Sequence, residues 1–174
     1  MTTASRPSAL GDLRVLDLST HVAGPYCTKL LADFGADVIK VESLSGDPAR
    51  TLGPFYHDQS NVESSLLFLY LNTSKRSITL DLTQSQGRAL FQKLVLWADV
   101  VVESFRPGTL GAMGLGYNDL AKLKPSIILV SVTPFGQDGP YSGRPGYDFI
   151  AQGMGGLMSV TGSQESGPMK TGVA

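Results

Sequence analysis

A strand, a turn, a helix and a second strand follow one another between residues 14 and 42, and this unit limits the possible folds more than any other stretch. Arg14-Val15-Leu16-Asp17-Leu18 is short and mostly apolar, as buried parallel strands are. The turn of residues 20–24 leads into Pro25, which suits the first turn of a helix because its missing N–H costs nothing there. Cys27, Leu30, Leu31 and Phe34 recur at helical spacing, which predicts one apolar face turned to a core, and Gly35 stands where the helix should end. Ala36-Asp37-Val38-Ile39-Lys40-Val41-Glu42 reads as the second strand. Strand, helix and strand within about thirty residues make a βαβ unit, whose two strands must lie parallel.

The rest of the chain repeats the alternation. Residues 43–64 are irregular and rich in Gly, Pro and polar residues, long enough for a structureless connection that a functional or interfacial role is expected. Residues 66–71 and 77–82 read as strands on either side of Asn72-Thr73-Ser74-Lys75-Arg76. A helix is expected from Ser85, with Leu90, Leu94 and Trp97 on its apolar face and Phe91 and Val95 widening it. Residues 99–105 form a β-branched strand that ends in the turn Arg106-Pro107-Gly108. A short helix over residues 118–124 halts before Pro125, and residues 126–132 are the last clear strand before a Gly-rich remainder. This alternation predicts the α/β class, with a Rossmann-like, mostly parallel sheet flanked by helices. Residues 1–10, without an apolar run, are expected to be a flexible tail, and residues 11–174 a single domain.

Charge and composition exclude several functions. Fourteen basic and fifteen acidic residues give a net charge of -1, so there is no bulk electrostatic footprint for nucleic acid or an anionic membrane. A single cysteine excludes an internal disulfide and suits a cytoplasmic location. The two histidines, His21 and His57, stand in separate loops with no metal-ligand spacing, so no metal site is expected. His57 reads as a solvent-facing loop residue, whereas the loop of His21 follows the first strand and should face a site. The turn after that strand has one glycine and no G-x-G-x-x-G, and neither a P-loop nor a G-x-S-x-G elbow occurs.

Ligands in open α/β sheets sit at the carboxyl ends of strands. Cations near such ends are Lys40, Lys75, Arg76, Arg106 and Arg144, and loop cations of this kind are ordinarily solvated charges. Phe105-Arg106-Pro107-Gly108 is more specific, because an aromatic ring beside a guanidinium can stack a base and bind a phosphate. That pair suits an adenine nucleotide, coenzyme A (CoA) among them.

Five ordered blocks carry a resemblance. They are Val15-Leu16-Asp17-Leu18 through Ala23-Gly24-Pro25; residues 35–42; Asn72-Thr73-Ser74-Lys75-Arg76-Ser77-Ile78; Ala98-Asp99-Val100-Val101-Val102-Glu103 through Pro107-Gly108; and Gly146-Tyr147-Asp148. In this set the chain resembles the class III CoA-transferase family, from about residue 10 to its last residue. The resemblance implies the N-terminal, CoA-binding part of the large domain of an intertwined homodimer. Acyl-CoA and a carboxylic acid would be its substrates, with no permanently bound cofactor. It carries over His21, Val22, Leu80, Asp81, Leu82, Thr83, Ser104, Phe105, Arg106, Pro145, Gly146, Tyr147 and Asp148 as residues lining the CoA site.

The implied chemistry is covalent: an aspartate attacks the acyl-CoA thioester, and the resulting anhydride becomes an aspartyl-CoA thioester from which the acceptor acid takes CoA. The family's nucleophile follows a Gly-[Val/Ala]-Ala segment matched here by Gly172-Val173-Ala174, so it is expected just beyond Ala174. Asp148 is then a supporting or capping residue, and no catalytic residue is assigned within the chain. Two departures from the pattern matter. Ser43 stands where some relatives carry an arginine, and Tyr147 stands where the 2-methylacyl-CoA racemases of the family have a histidine base. The second favours transfer over racemisation. A non-catalytic CoA-binding module and a racemase-like member are the alternative readings.

Overall fold

The computed structural model describes residues 8–172. Its main sheet has five strands, β1 (Arg14–Asp17), β2 (Asp37–Glu42), β3 (Arg76–Thr79), β4 (Val100–Glu103) and β5 (Ile128–Ser131), in the order β3-β2-β1-β4-β5. All neighbouring pairs are parallel, as the βαβ pattern requires. Chain order reverses between β1 and β4, which makes the carboxyl ends of these strands the switch point where such folds bind ligands.

Helices cover both faces. On one side, α3 (Ser85–Trp97) and α5 (Tyr117–Leu123) close a core of Leu16, Leu18, Ile39, Val41, Phe91, Val95, Val101 and Leu120. On the other, α1 (Ala23–Asp33) covers Val15, Val38, Val100 and Val102. The short helices α2 (Leu66–Leu71) and α4 (Thr109–Ala112) sit in the connections. Beyond β5 lie α6 (Asp148–Met154) and a two-stranded antiparallel ribbon of β6 (Gly162–Ser163) and β7 (Gly167–Pro168). Of the expected tail, residues 1–7 lie outside the described residues, while Leu10 packs beside Ala32 and Val15 and donates its N–H to the Phe34 carbonyl.

Several expectations are corrected. Residues 66–71 are a helix: Ser65 caps it, its Oγ accepting the Phe68 N–H at 3.2 Å and donating to the Ala49 and Leu52 carbonyls, while Phe68 and Leu71 turn inward one helical step apart. An unbroken apolar run of six residues has no period that separates helix from strand. Of the expected apolar face of α1 only Leu31 packs against the core. Gly24, Pro25, Thr28 and Ala32 are its buried residues, whereas Cys27, Leu30 and Phe34 are exposed, because α1 packs close to the sheet through its small residues. On α3 the inward face centres on Gly87, Phe91 and Val95, leaving Leu90 exposed. Residues 80–82 have left β3 and form a loop, and α4 and α6 were not expected from the sequence.

Candidate functional site

A cleft of about 280 Å³ opens at the carboxyl end of the sheet. Its walls come from residues 18–20 after β1, residues 40–48 at the end of β2, residues 80–83 after β3, and Phe105 after β4, with Met113 closing one side. This volume is near the lower limit for drug-sized ligands, so the cleft takes one moiety of a large molecule.

The loop after β3 is shaped by α3. Gly87 lets the helix approach so closely that a Cβ there would stand 1.8 Å from the Asp81 carbonyl oxygen. Arg88 donates to the Leu82 and Thr83 carbonyls at 3.1 and 2.7 Å. Asp81 folds the loop on itself, accepting the Thr83 N–H at 2.9 Å and the Thr83 hydroxyl at 2.6 Å, bonds that lower its pKa.

Beneath the cleft the sheet turns from apolar to charged. Strand register aligns Val102, Asp17, Lys40 and Ser77 in one row on the α1 side. Asp17 is fully buried. Its Oδ2 accepts the Thr28 hydroxyl at 2.6 Å and the Lys75 ammonium at 2.9 Å, and its Oδ1 takes the Ser19 N–H and hydroxyl. Burial alone would raise the Asp17 pKa, but the Lys40 and Lys75 charges and the two hydroxyls outweigh it and hold the carboxyl below its usual range. Lys75 also donates to the Pro25 carbonyl and Asn72 Oδ1, both at 2.8 Å, and burial keeps it below the ordinary lysine value despite Asp17.

Lys40 donates to the Ser19 carbonyl at 2.8 Å and pairs with Asp47 at 2.8 Å. Glu42 accepts Arg50 through Nε (2.7 Å) and Nη2 (2.8 Å), the Ser77 hydroxyl (2.6 Å) and the Asp47 N–H (3.0 Å). Burial pushes its pKa upward, yet these donors bring it down to about 2. Lys40 and Lys75, expected as solvated charges, are thus buried ion-pair partners, a role set by the register of distant strands.

The residues marked by the resemblance are not brought together in one place. Leu80, Asp81, Leu82, Thr83 and Phe105 line the cleft. Ser104 lies at its back, its Oγ accepting the Thr20 N–H at 2.9 Å, and His21 is held on the adjoining turn by its N–H to Asp47, with Val22 next to it as the cap of α1. Arg106, expected to act beside Phe105, faces a second cleft of about 280 Å³ with Glu103, Tyr117, Ser131 and Gln137, and its guanidinium has no hydrogen-bond or ionic partner among the described residues. Pro145, Gly146, Tyr147 and Asp148 line neither cleft. Gly146 packs tightly against Pro134, and Tyr147 is exposed. Asp148 opens α6, bonded to Gln152 Nε2 at 3.0 Å and paired with Lys170 at 3.0 Å, and these contacts lower its pKa. His57 is exposed, and no cluster of metal-ligating side chains occurs among the described residues. Thr20, Lys40, Glu42, Ser43, Asp47 and Met113 line the cleft without being among the residues that the resemblance marked. Position at a strand end pointed to Thr20 and Lys40, and the length of the irregular 43–64 segment to Ser43 and Asp47, whereas Glu42 and Met113 carried no such signal.

No helix among the described residues is long and apolar enough to cross a membrane. The model of CoA-transferase family III matches residues 10–174. A succinate–glutarate CoA-transferase of Agrobacterium fabrum is 45% identical over 173 residues, which are 98% of this chain and 43% of that protein. A human succinyl-CoA:glutarate CoA-transferase is 42% identical over 166 residues, covering 95% of this chain and 37% of its own length. Among solved structures, a CAIB/BAIF family protein from Brucella suis superposes with a TM-score of 0.89 at 44% identity, over 97% of this chain and 44% of that one. The chain spans less than half the length of these relatives. A doubly wound sheet with its cleft at the switch point, matched along nearly its whole length, places the chain in CoA-transferase family III.

Proposed function

We propose that this chain is the CoA-binding portion of a CoA-transferase that moves CoA between an acyl-CoA thioester and a carboxylic acid. The observation that carries the reading is the cleft at the carboxyl ends of β1, β2, β3 and β4, in which Leu80, Asp81, Leu82, Thr83 and Phe105 meet. Lys40 is neutralised there by Asp47 and Glu42 by Arg50, and the remaining charge of the lining, Asp81, is acidic, so the cleft suits an uncharged part of CoA, the adenine ring, rather than a phosphate, with Phe105 as an aromatic wall. Arg106, close to Phe105 in the chain and unpaired, is available to a phosphate at the neighbouring cleft.

On this reading the reaction passes through an acyl-aspartyl anhydride and an aspartyl-CoA thioester, which divides one difficult exchange into easier steps. The nucleophilic aspartate belongs to polypeptide following residue 174. Asp148, committed to Gln152 and Lys170, supports α6. Tyr147 in place of a histidine base favours transfer over racemisation. The working form is a cytoplasmic homodimer. Several relatives are named for succinate or succinyl-CoA, which makes succinyl-CoA the first donor to assay.

Isothermal titration of the chain with CoA tests the binding reading. Saturable binding with a Kd on the order of 10 μM or tighter is expected. Absence of any heat or any competition with CoA concentrations of about 1 mM would reject it. Transfer itself is assayed on a protein of the relatives' length with succinyl-CoA and dicarboxylic acids.

A further inference from the structure

We infer that the buried Lys40–Asp47 pair is a positioning device that holds the turn of residues 19–22 in the shape the cleft needs. The inference deepens the CoA-binding reading and rests on it for its functional half. Lys40 and Asp47 are 1% and 3% exposed, and Asp47 is tied to its own loop as well, its Oδ1 accepting the Ala49 N–H at 2.8 Å and its N–H donating to Glu42 at 3.0 Å. From that anchored position the pair reaches one turn of the neighbouring loop at two points. The Lys40 ammonium donates to the Ser19 carbonyl at 2.8 Å, and Asp47 Oδ1 accepts the His21 N–H at 3.2 Å. The same ion pair therefore grips the turn at two points, with Thr20 between them fixed through its N–H to Ser104 Oγ.

His21 has φ +65°, a backbone conformation that a non-glycine residue keeps only where its surroundings enforce it. The second oxygen of Asp47 is buried and receives no hydrogen bond among the described residues, so the Lys40 charge is its compensation. Buried ion pairs commonly add nothing to stability over apolar residues of the same shape. What an apolar pair could not supply here is a donor for Ser19 and an acceptor for His21. Ser19, Thr20, Lys40 and Asp47 all line the cleft, so a turn released from the pair changes the cleft wall directly.

The test uses the double variant Lys40→Met/Asp47→Asn, which removes both charges together so that neither is left buried alone. Hydrogen–deuterium exchange of the peptide spanning residues 19–22 should quicken by about tenfold or more while peptides of β1 and β4 keep their protection. CoA affinity measured by calorimetry should fall by about tenfold, and a His57→Ala control should change neither readout. Unchanged exchange in the turn overturns the inference, and so does faster exchange with CoA affinity held within about twofold. Should wild-type chain not bind CoA at all, the binding reading fails, whereas the exchange measurement still decides whether the pair clamps the turn. If the double variant does not fold, Lys40→Met alone removes the donor to the Ser19 carbonyl while Asp47 keeps the His21 and Ala49 N–H groups. Turn exchange about threefold faster is then expected, and no change refutes the clamp.

Discussion

Replacing Glu42 by glutamine should separate the charge of this carboxylate from its shape. Four donor contacts converge on it: two from Arg50, one from Ser77 and one from the Asp47 N–H. They lower its pKa from 4.5 to about 2 although burial works in the opposite direction. A carboxyl whose pKa is depressed in the folded state adds stability that is fully present above its unfolded value of 4.5 and is lost as pH falls through about 2. Each pKa unit corresponds to about 1.4 kcal/mol, so the difference amounts to about 3 kcal/mol at neutral pH. Glu42→Gln should therefore be less stable than wild type by about 3 kcal/mol at pH 7 in urea denaturation. Between pH 4.5 and about 2 the two curves should converge at up to about 1.4 kcal/mol per pH unit, because only wild type takes up this proton. Other carboxylates titrate in both proteins and cancel in the difference. A stability gap that stays constant over this window would refute the assignment of the charge to the Arg50 and Ser77 contacts.

Gly87→Ala places a Cβ 1.8 Å from the Asp81 carbonyl oxygen, and the clash should cost about 1–3 kcal/mol, outweighing the helix-propensity gain; a raised melting temperature would contradict the packing described for the 80–83 loop. Phe105→Ala should weaken CoA binding by about 5-fold to 150-fold, the range of base–aromatic stacking, with adenosine weakened in parallel when both are measured by calorimetry. Asp148→Asn loses a partly exposed pair with Lys170 and should shift stability by less than about 1 kcal/mol while leaving CoA affinity within about twofold; a collapse of CoA binding would return Asp148 to the site. Adenosine should compete with CoA for the cleft with little dependence on salt, since every cation lining it is already paired; an adenosine affinity that falls steeply with ionic strength would show that a free charge governs the cleft.

The layout of the fold was legible where local pattern and tertiary role agree. The β-branched run before Glu103 and the apolar run around Leu16 are strands buried on both faces, and such strands show themselves as continuous apolar stretches. The pattern misled where an element packs through small residues. Helix α1 lies against the sheet through Gly24, Pro25, Thr28 and Ala32, and a search for large side chains at helical spacing selects the opposite face. The run Leu66 to Leu71 was ambiguous for a different reason, since its helix is decided by a serine cap whose hydroxyl is anchored to residues 49 and 52. Residues 80–82 and Phe105, read from the sequence as the last residues of strands, lie just past the ends of β3 and β4, and the separation of Phe105 from Arg106 depends on how the chain turns after β4, which no spacing reveals.

The charges beneath the cleft expose a deeper limit of local reading. Asp17 and Lys40 lie 23 positions apart in the chain and become neighbours only because parallel pairing sets one opposite the other, while Lys75 reaches the same carboxylate from the far side of another crossover. Each lysine alone resembles a solvated cation, and each acid a strand-end cap. Together with Asp47, Glu42 and Arg50 they balance three acidic groups against three basic ones, which is why they can be buried at all. The consequence for binding is the reverse of what a count of basic residues near strand ends suggests. Lys40 and Lys75 are spent inside the protein, so the attraction for an anionic ligand must come from a cation that the fold leaves unpaired, and Arg106 is one beside this site.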